Sequence, residues 1–288
     1  MVIPNIWRAD AGIRRAEFDA GLDFDRRIQS RAFPTAQSFM WRVEDHNARL
    51  TLGELSASLD LLKPAAGLGQ FAVAGNRLAA EVLQVAWPER EKSVEPPPEN
   101  YVRGGDLVAT YAETSLWPFR AQLYWRTGTH RGPQGQAAAV AAIELVASIQ
   151  TQLLDTQARL SARSRVAVRE VFRLRDPRRG EFERCDPARS KRFQRSQAPA
   201  CFLLRLDDRL SYGEMVHPLD FQGSTLAFDS GPAGAGVSLN HDLFLSPLEK
   251  GVILRARVLG VFLPRRDDQQ ALAAHYAVFS AAEPPLTT

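Results

Sequence analysis

Cysteine occurs only twice in this chain of 288 residues, as Cys185 and Cys201. With no Cys-x-x-Cys pair, a disulfide framework and an all-cysteine zinc site are both excluded, and a reducing compartment fits best. Long apolar runs are also missing. The longest, from Ala137 to Ile143, is interrupted at Glu144 and falls far short of the roughly 20 residues a membrane-spanning helix needs. The N-terminal stretch carries Arg8, Asp10, Arg14, Arg15 and Glu17, which leaves no room for the apolar core of a signal peptide. These absences predict a cytoplasmic chain with no membrane segment.

Recognisable catalytic and cofactor signatures are absent as well. There is no Gly-x-x-x-x-Gly-Lys-Ser/Thr loop and no Gly-x-Ser-x-Gly elbow, and Gly231, Gly234 and Gly236 do not follow dinucleotide-binding spacing. No period of about 20–50 residues repeats, which argues against solenoids and propellers. No His-x-His or His-Glu-x-x-His occurs, so no metal site and no cofactor are expected.

What is present is an ordinary globular composition, 45% hydrophobic and 24% charged, in a chain long enough to bury about three quarters of its unfolded surface. It predicts a single compact domain over 1–288, or else a β-rich half at 1–130 followed by a second half at 131–288. Period-2 alternation recurs along the chain. Phe39, Trp41 and Val43 share one face, and Leu55, Ala57, Leu59 and Leu61 another. Further strands are expected over 81–87, 106–113 and 118–126, with the last two paired. In the last, Phe119, Ala121, Leu123 and Trp125 oppose Arg120, Gln122, Tyr124 and Arg126. The run Glu95-Pro-Pro-Pro-Glu99 together with Pro88 reads as a stiff linker.

From Gln136 to about Ala162 the rhythm changes. Val140, Ile143, Val146, Ile149, Leu153 and Leu160 recur at helical spacing, which predicts a helix of about 40 Å. Alternation returns over 166–174, then at 201–206, 215–221, 225–228 and 252–263, separated by a long polar loop at 181–199. Leu272, Tyr276 and Phe279 mark a final helix over 268–281. The expected fold class is therefore α+β: a largely antiparallel β-sheet or sandwich packed around one long central helix, with a short C-terminal helix.

Charge is concentrated. Only four of the 36 basic residues are lysines, and the segment 159–195 carries thirteen basic against five acidic residues, within a chain of net charge +3. Guanidinium groups match carboxylate and phosphate geometry. Arg173, Arg175, Arg178 and Arg179 in that segment are therefore candidate anion-binding residues, together with Arg120 and Arg126 on one strand and Arg255 and Arg257 on another. An acidic protein or other polyanion is the expected partner. Nucleic acid is allowed by charge but supported by no motif, because aromatic residues in the basic segment are limited to Phe172, Phe182 and Phe193.

A second cluster holds two of the five histidines with several carboxylates. Glu214, His217, His241 and Glu249 are the candidate acid/base residues, with Asp220 and Asp242 nearby. The odd spacing of His217 and Asp220 puts them on opposite faces unless the chain bends at Pro218. Two function classes follow: an interaction or structural protein presenting an arginine-bearing surface, and, as the alternative, a carbohydrate-active or mutarotase-like enzyme on a large antiparallel sandwich.

Overall fold

A computed structural model describes residues 39–86, 97–115, 117–127, 139–197, 199–231 and 234–283. Apolar side chains at every second position need a surface on each strand to bury against, and the chain supplies it by laying two large antiparallel sheets face to face. The first sheet runs Phe39–Glu44, Asn47–Leu52, Leu55–Asp60, Leu68–Val73, Ala80–Ala86, Leu160–Ala167, Gly234–Phe244, Gly223–Gly231 and Lys191–Gln194, with Asn76–Arg77 beside Leu68–Val73. The second runs Glu181–Arg184, Glu170–Asp176, Cys201–Arg205, Leu210–Val216, Ile253–Pro264, Ala141–Gln150, Arg120–Thr127, Asp106–Tyr111 and Glu99–Arg103. Asp155–Gln157 and Pro247–Glu249 form a small separate pair.

Between the sheets lies one large apolar core, to which Trp41, Leu50 and Phe71 contribute from one side and Trp125, Leu145 and Phe262 from the other. Phe71 and Phe262 meet with ring centroids 5.1 Å apart, and Phe193 and Phe202 at 5.4 Å, offset contacts that aromatic pairs favour. A smaller cluster on the outer side of the second sheet joins Leu174, Leu203, Met215 and Leu259 to Leu272 and Phe279 of the helix Asp268–Ala281. Gly213 makes that seat possible: a Cβ there would lie 2.2 Å from Leu272 Cδ1. No helix of the described residues is long and apolar enough to cross a membrane.

The central helix expected over 136–162 does not exist, so the α+β class is replaced by a β sandwich. In its place Ala141–Gln150 is a ten-residue strand, and Leu160 already begins the strand Leu160–Ala167. Val140, Ile143, Val146 and Ile149 satisfied the helical template, yet Ile143, Leu145, Ala147 and Ile149 also alternate, and these four are buried toward the sandwich interior. A strand paired on both sides and covered on both faces reads as a near-continuous apolar run, which periodicity alone cannot separate from a buried helix. Two full ladders, to Arg120–Thr127 and to Ile253–Pro264, override the helix propensity of its alanines. The long polar loop expected at 181–199 is likewise structured in part, as the edge strands Glu181–Arg184 and Lys191–Gln194. The strand expected over 215–221 lies five residues earlier, as Leu210–Val216, and the chain turns at residues 218–220.

Strands at 39–44 and 55–60 and the final helix at 268–281 are found as expected; those expected over 106–113 and 118–126 run Asp106–Tyr111 and Arg120–Thr127 and pair with each other as expected. Most of the proline-rich linker, residues 87–96, lies outside the described residues.

The helix is pinned at its start by charge. Asp268 accepts two hydrogen bonds from Arg205, both at 3.1 Å, one from Ser211 at 2.7 Å and one from Arg265 at 3.2 Å. A carboxylate in a first helical turn also favours the helix dipole. Replacing Asp268 with Ala removes a buried acceptor from Ser211 and one of the two carboxylates of the half-buried Arg205, which keeps Glu170 at 3.1 Å, and should cost about 1–3 kcal/mol, read as a shifted denaturation midpoint with an unchanged slope.

Candidate functional site

Antiparallel register decides which side chains share the outer face of the second sheet. Gln122, Ser148 and Arg255 lie in one row across three neighbouring strands; Tyr124, Val146 and Arg257 form the next; Arg126 and Glu144 begin a third; Arg120, Gln150 and Ile253 form the last. Neighbouring strands stand about 4.8 Å apart, so these rows make one continuous polar surface. The helix and the residues that follow it cover the Arg257 end of the same face, where Phe279 lies 5.7 Å from the guanidinium.

Arg120, Gln122, Ser148, Gln150, Ile253 and Arg255 line a depression of about 190 Å³. A wider one of about 540 Å³ adjoins it through Arg120 and Gln150, and is bordered by Glu99, Thr110 and Glu113. The polar side chains are interlinked: Tyr124 donates to Gln122 Oε1 at 2.6 Å, Gln122 donates to Thr110 at 3.3 Å, and Arg255 Nε donates to Ser148 Oγ at 3.0 Å. Burial, reinforced by Tyr101, pushes the Tyr124 hydroxyl above its ordinary pKa, against the pull of Arg255, Arg103 and Arg126. Its proton therefore stays in place to donate at neutral pH.

At the inner end of this surface the chain leaves the strand Leu210–Val216, and His217 continues the pairing by donating its N–H to the Arg257 carbonyl at 3.2 Å. A turn follows, in which Asp220 and Phe221 N–H groups both return to the His217 carbonyl. This bend at Pro218 brings Asp220 Oδ2 to 4.0 Å from His217 Nδ1, overcoming the opposite-face problem of their spacing. Asp220 also accepts from the Arg257 backbone at 3.0 Å and from Arg257 Nε at 3.4 Å. Arg257 Nη1 donates to the carbonyls of Ala282 and Glu283, at 3.2 and 3.1 Å, and Phe279 packs edge-on against the His217 ring at 5.4 Å.

His217 and Arg257 are each only 2% exposed. Burial and the Arg257 charge lower the His217 pKa, with Ser280 and Ala282 carbonyls and Glu144 opposing. Burial raises that of Asp220 despite Arg257. Leu219 N–H donates to His217 Nδ1 at 3.3 Å, so the neutral ring carries its proton on Nε2.

Glu214 and His241 meet elsewhere, inside the sandwich, where both are 0% exposed. His241 Nε2 lies 3.0 Å from Glu214 Oε1, and its Nδ1 lies 2.6 Å from Ser224 Oγ. Glu214 Oε2 takes the Tyr212 hydroxyl at 2.6 Å and also the Ser164 hydroxyl, while Ser164 Oγ accepts Leu83 N–H at 3.0 Å. A bulge makes that last contact: the register shifts between Arg163 and Arg165, and Leu83 adopts φ of 52°, a strained value for leucine. The arrangement joins the two sheets through charge-assisted hydrogen bonds and borders none of the depressions described above. Glu214→Ala leaves His241, Ser164 and Tyr212 without their shared acceptor, and is expected to destabilise the fold by about 3–5 kcal/mol in denaturant titration.

Of the acid/base candidates, then, only His217 belongs to the outer face of the second sheet, where it is buried beneath Phe279; Glu214 and His241 are enclosed between the sheets, and Glu249 is exposed on the strand Pro247–Glu249. Of the anion-binding candidates, Arg120, Arg126, Arg255 and Arg257 share that face. Arg173, Arg175, Arg178 and Arg179 are on or beside the strand Glu170–Asp176 near the opposite edge. There Arg173 pairs with Glu183 at 3.3 Å and stacks over Phe193 at 4.5 Å, while Arg179 approaches Asp176 and Glu181 at 3.8 and 3.7 Å. Arg175 and Arg178 are exposed. Burial lifts the Cys185 thiol to about 11, so it is protonated at neutral pH. Among the described residues no group of three or more His, Cys, Asp or Glu could hold a metal ion.

Sequence reasoning missed Glu144, Ser148 and Gln150, because they fell within the expected helix. Their alternation with Ile143, Leu145, Ala147 and Ile149 was the available signal.

No family model and no curated protein matches this chain. Among solved structures, a proposed mutarotase from Salmonella typhimurium aligns at 11% identity and a TM-score of 0.49, covering 80% of this chain and 97% of its own. A proposed aldose 1-epimerase from Escherichia coli K12 aligns at 9% and 0.48, covering 79% and 99%. A galactose mutarotase-like protein from Clostridium acetobutylicum aligns at 6% and 0.44, covering 79% and 99%. With scores below 0.5 at such identities, what this chain binds has to be read from its own residues.

The lowered His217 pKa carries a pH signature. The unfolded chain takes up this proton near its ordinary value of 6.5 while the folded chain resists it. The stability contribution is therefore complete above that pH and is lost as pH falls toward the folded value. His217→Gln should flatten this part of the stability profile, and the wild-type imidazole should titrate below 6.5 by NMR.

Proposed function

We propose that this chain is a carbohydrate-active, mutarotase-like protein whose ligand rests on the outer face of the second sheet, with His217 and Asp220 as its acid/base pair. The observation that carries this reading is the shared face: Gln122, Ser148 and Arg255 in one row, and Tyr124, Arg257 and His217 in the next, beside an open depression. Amides, hydroxyls and guanidinium groups offer the mixture of donors and acceptors that a polyhydroxylated ligand needs. Apolar wall is scarce, since Ile149 and Ile253 are the only large apolar residues lining the smaller depression, which disfavours an apolar ligand.

Proton exchange between a sugar hydroxyl and its ring oxygen needs two groups able to change protonation near neutral pH. Burial moves the His217 pKa down and the Asp220 pKa up, which narrows the gap in proton affinity between the two groups. Glu214 and His241 serve the interior instead, since their polar atoms are taken up by one another and by Ser164, Tyr212 and Ser224 between the sheets. The alternative of a polyanion on the basic edge is weakened by the carboxylates already beside Arg173 and Arg179.

Two measurements test the proposal. Saturation-transfer NMR with aldoses should give signals that Gln122→Ala and Arg255→Ala weaken about tenfold, as expected for losing one or two hydrogen bonds to the ligand. Exchange spectroscopy should show anomer interconversion, reduced about 10²-fold or more by His217→Gln. Binding without interconversion would leave a lectin-like protein. Retention on heparin that is lost only when Arg173, Arg175, Arg178 and Arg179 are replaced would favour the polyanion reading.

A further inference from the structure

Building on the carbohydrate reading, we infer that the ligand of the polar face is a chain of linked sugars lying across the strands, not a single ring. The two depressions make one groove: the smaller, about 190 Å³, and the wider, about 540 Å³, share Arg120 and Gln150 as a common wall. Register sets its course. Glu99 pairs with Thr110, Thr110 with Gln122, Gln122 with Ser148 and Ser148 with Arg255, so one row crosses five adjacent strands. At four spacings of about 4.8 Å, that row is about 19 Å long, which is room for several pyranose rings end to end and far more than one ring occupies.

Side-chain length shapes the groove. Thr110 and Ser148, short and each only 8% exposed, form a polar floor, and the longer Arg120, Gln150 and Gln152 stand beside them. Polar groups are spread along this floor, whereas a single small ligand is held by a few that converge. The two ends also differ in kind. At one, Arg255 Nε donates to Ser148 Oγ, which leaves the Ser148 hydroxyl its own proton to give, and the Tyr124 hydroxyl occupies the Gln122 amide oxygen. With Arg120 beside them, this end offers chiefly donors. The other end presents the carboxylates of Glu99 and Glu113, which only accept. A sugar hydroxyl both donates and accepts, so linked rings satisfy both ends together, while one ring reaches only one of them. Apolar surface is exposed at each end as well. Ile253 is 58% exposed beside Arg255, and Tyr101, 50% exposed, shares the outer face of its strand with Glu99. An aromatic ring carrying a hydroxyl suits a surface that is apolar on one side and wet on the other, as is the flat C–H face of a pyranose.

Titration calorimetry on the full chain with glucose and galactose, and with linked dimers, trimers and tetramers of each, tests the inference. In at least one series the trimer should bind about tenfold more tightly than the single sugar, the gain expected from one or two added hydrogen bonds. Tyr101→Ala and Glu99→Gln, both at exposed positions, should shrink that ratio about tenfold, whereas Gln122→Ala, in the middle of the row, should weaken single and linked sugars alike and leave the ratio in place. Equal affinity for the single sugar and every oligomer, or a ratio that folded Tyr101→Ala and Glu99→Gln proteins both keep, would overturn the inference while the carbohydrate reading stands. If neither single nor linked sugars bind, that reading falls and takes the inference with it.

Discussion

The two backbone ladders on either side of Ala141–Gln150 hold the candidate site together. Because side chains alternate with a period of two, any pairing in register sends every second residue of three adjacent strands to the same side. That single constraint places the Arg120–Arg126 series next to Glu144, Ser148 and Gln150, and these next to Arg255 and Arg257. A one-residue slip of the central strand would turn Ile143, Leu145, Ala147 and Ile149 outward, and the large apolar area they bury makes such a slip prohibitive.

The interior adds a polar fastening to this apolar one. Glu214 from the second sheet reaches His241 and Ser164 on the first, and Gly260, its partner across the neighbouring strand, leaves room for Tyr212 to join. A Cβ at Gly260 would lie 2.5 Å from the Tyr212 hydroxyl oxygen. In a low-dielectric interior each member of such a group depends on the others being present. The strained backbone at Leu83, whose N–H feeds Ser164, shows how far the first sheet is distorted to complete it. Two carboxylate–histidine pairs therefore stand in one chain with different surroundings: Glu214 with His241 closed between the sheets, and Asp220 with His217 on the outer face of the second sheet beneath the end of the helix.

Charge has to be weighed in the same local way. A chain with many arginines and a net positive charge invites an anionic partner, but among the described residues many guanidinium groups lie against carboxylates: Arg205 and Arg265 on Asp268 and Glu170, Arg192 on Asp242, Arg126 on Asp106 and Glu144. What remains for a ligand on the polar face is hydrogen-bonding geometry more than net field.

Local alternation was sufficient to locate the strands near 55–60 and 120–126, because each has one buried and one wetter face, and the 3.6-residue spacing of Leu272, Tyr276 and Phe279 located the final helix. It failed at Ala141–Gln150, where both faces are covered and the helical and extended templates fit equally well. The sequence also singled out the polar series at 120–126, the arginines at 255 and 257, and His217 and Asp220, since composition and spacing are local properties. That these belong to one surface, while Glu214 and His241 belong to the interior, was decided only by the tertiary structure: strand neighbours are chosen by contacts between residues over a hundred positions apart, such as Ser148 with Arg255.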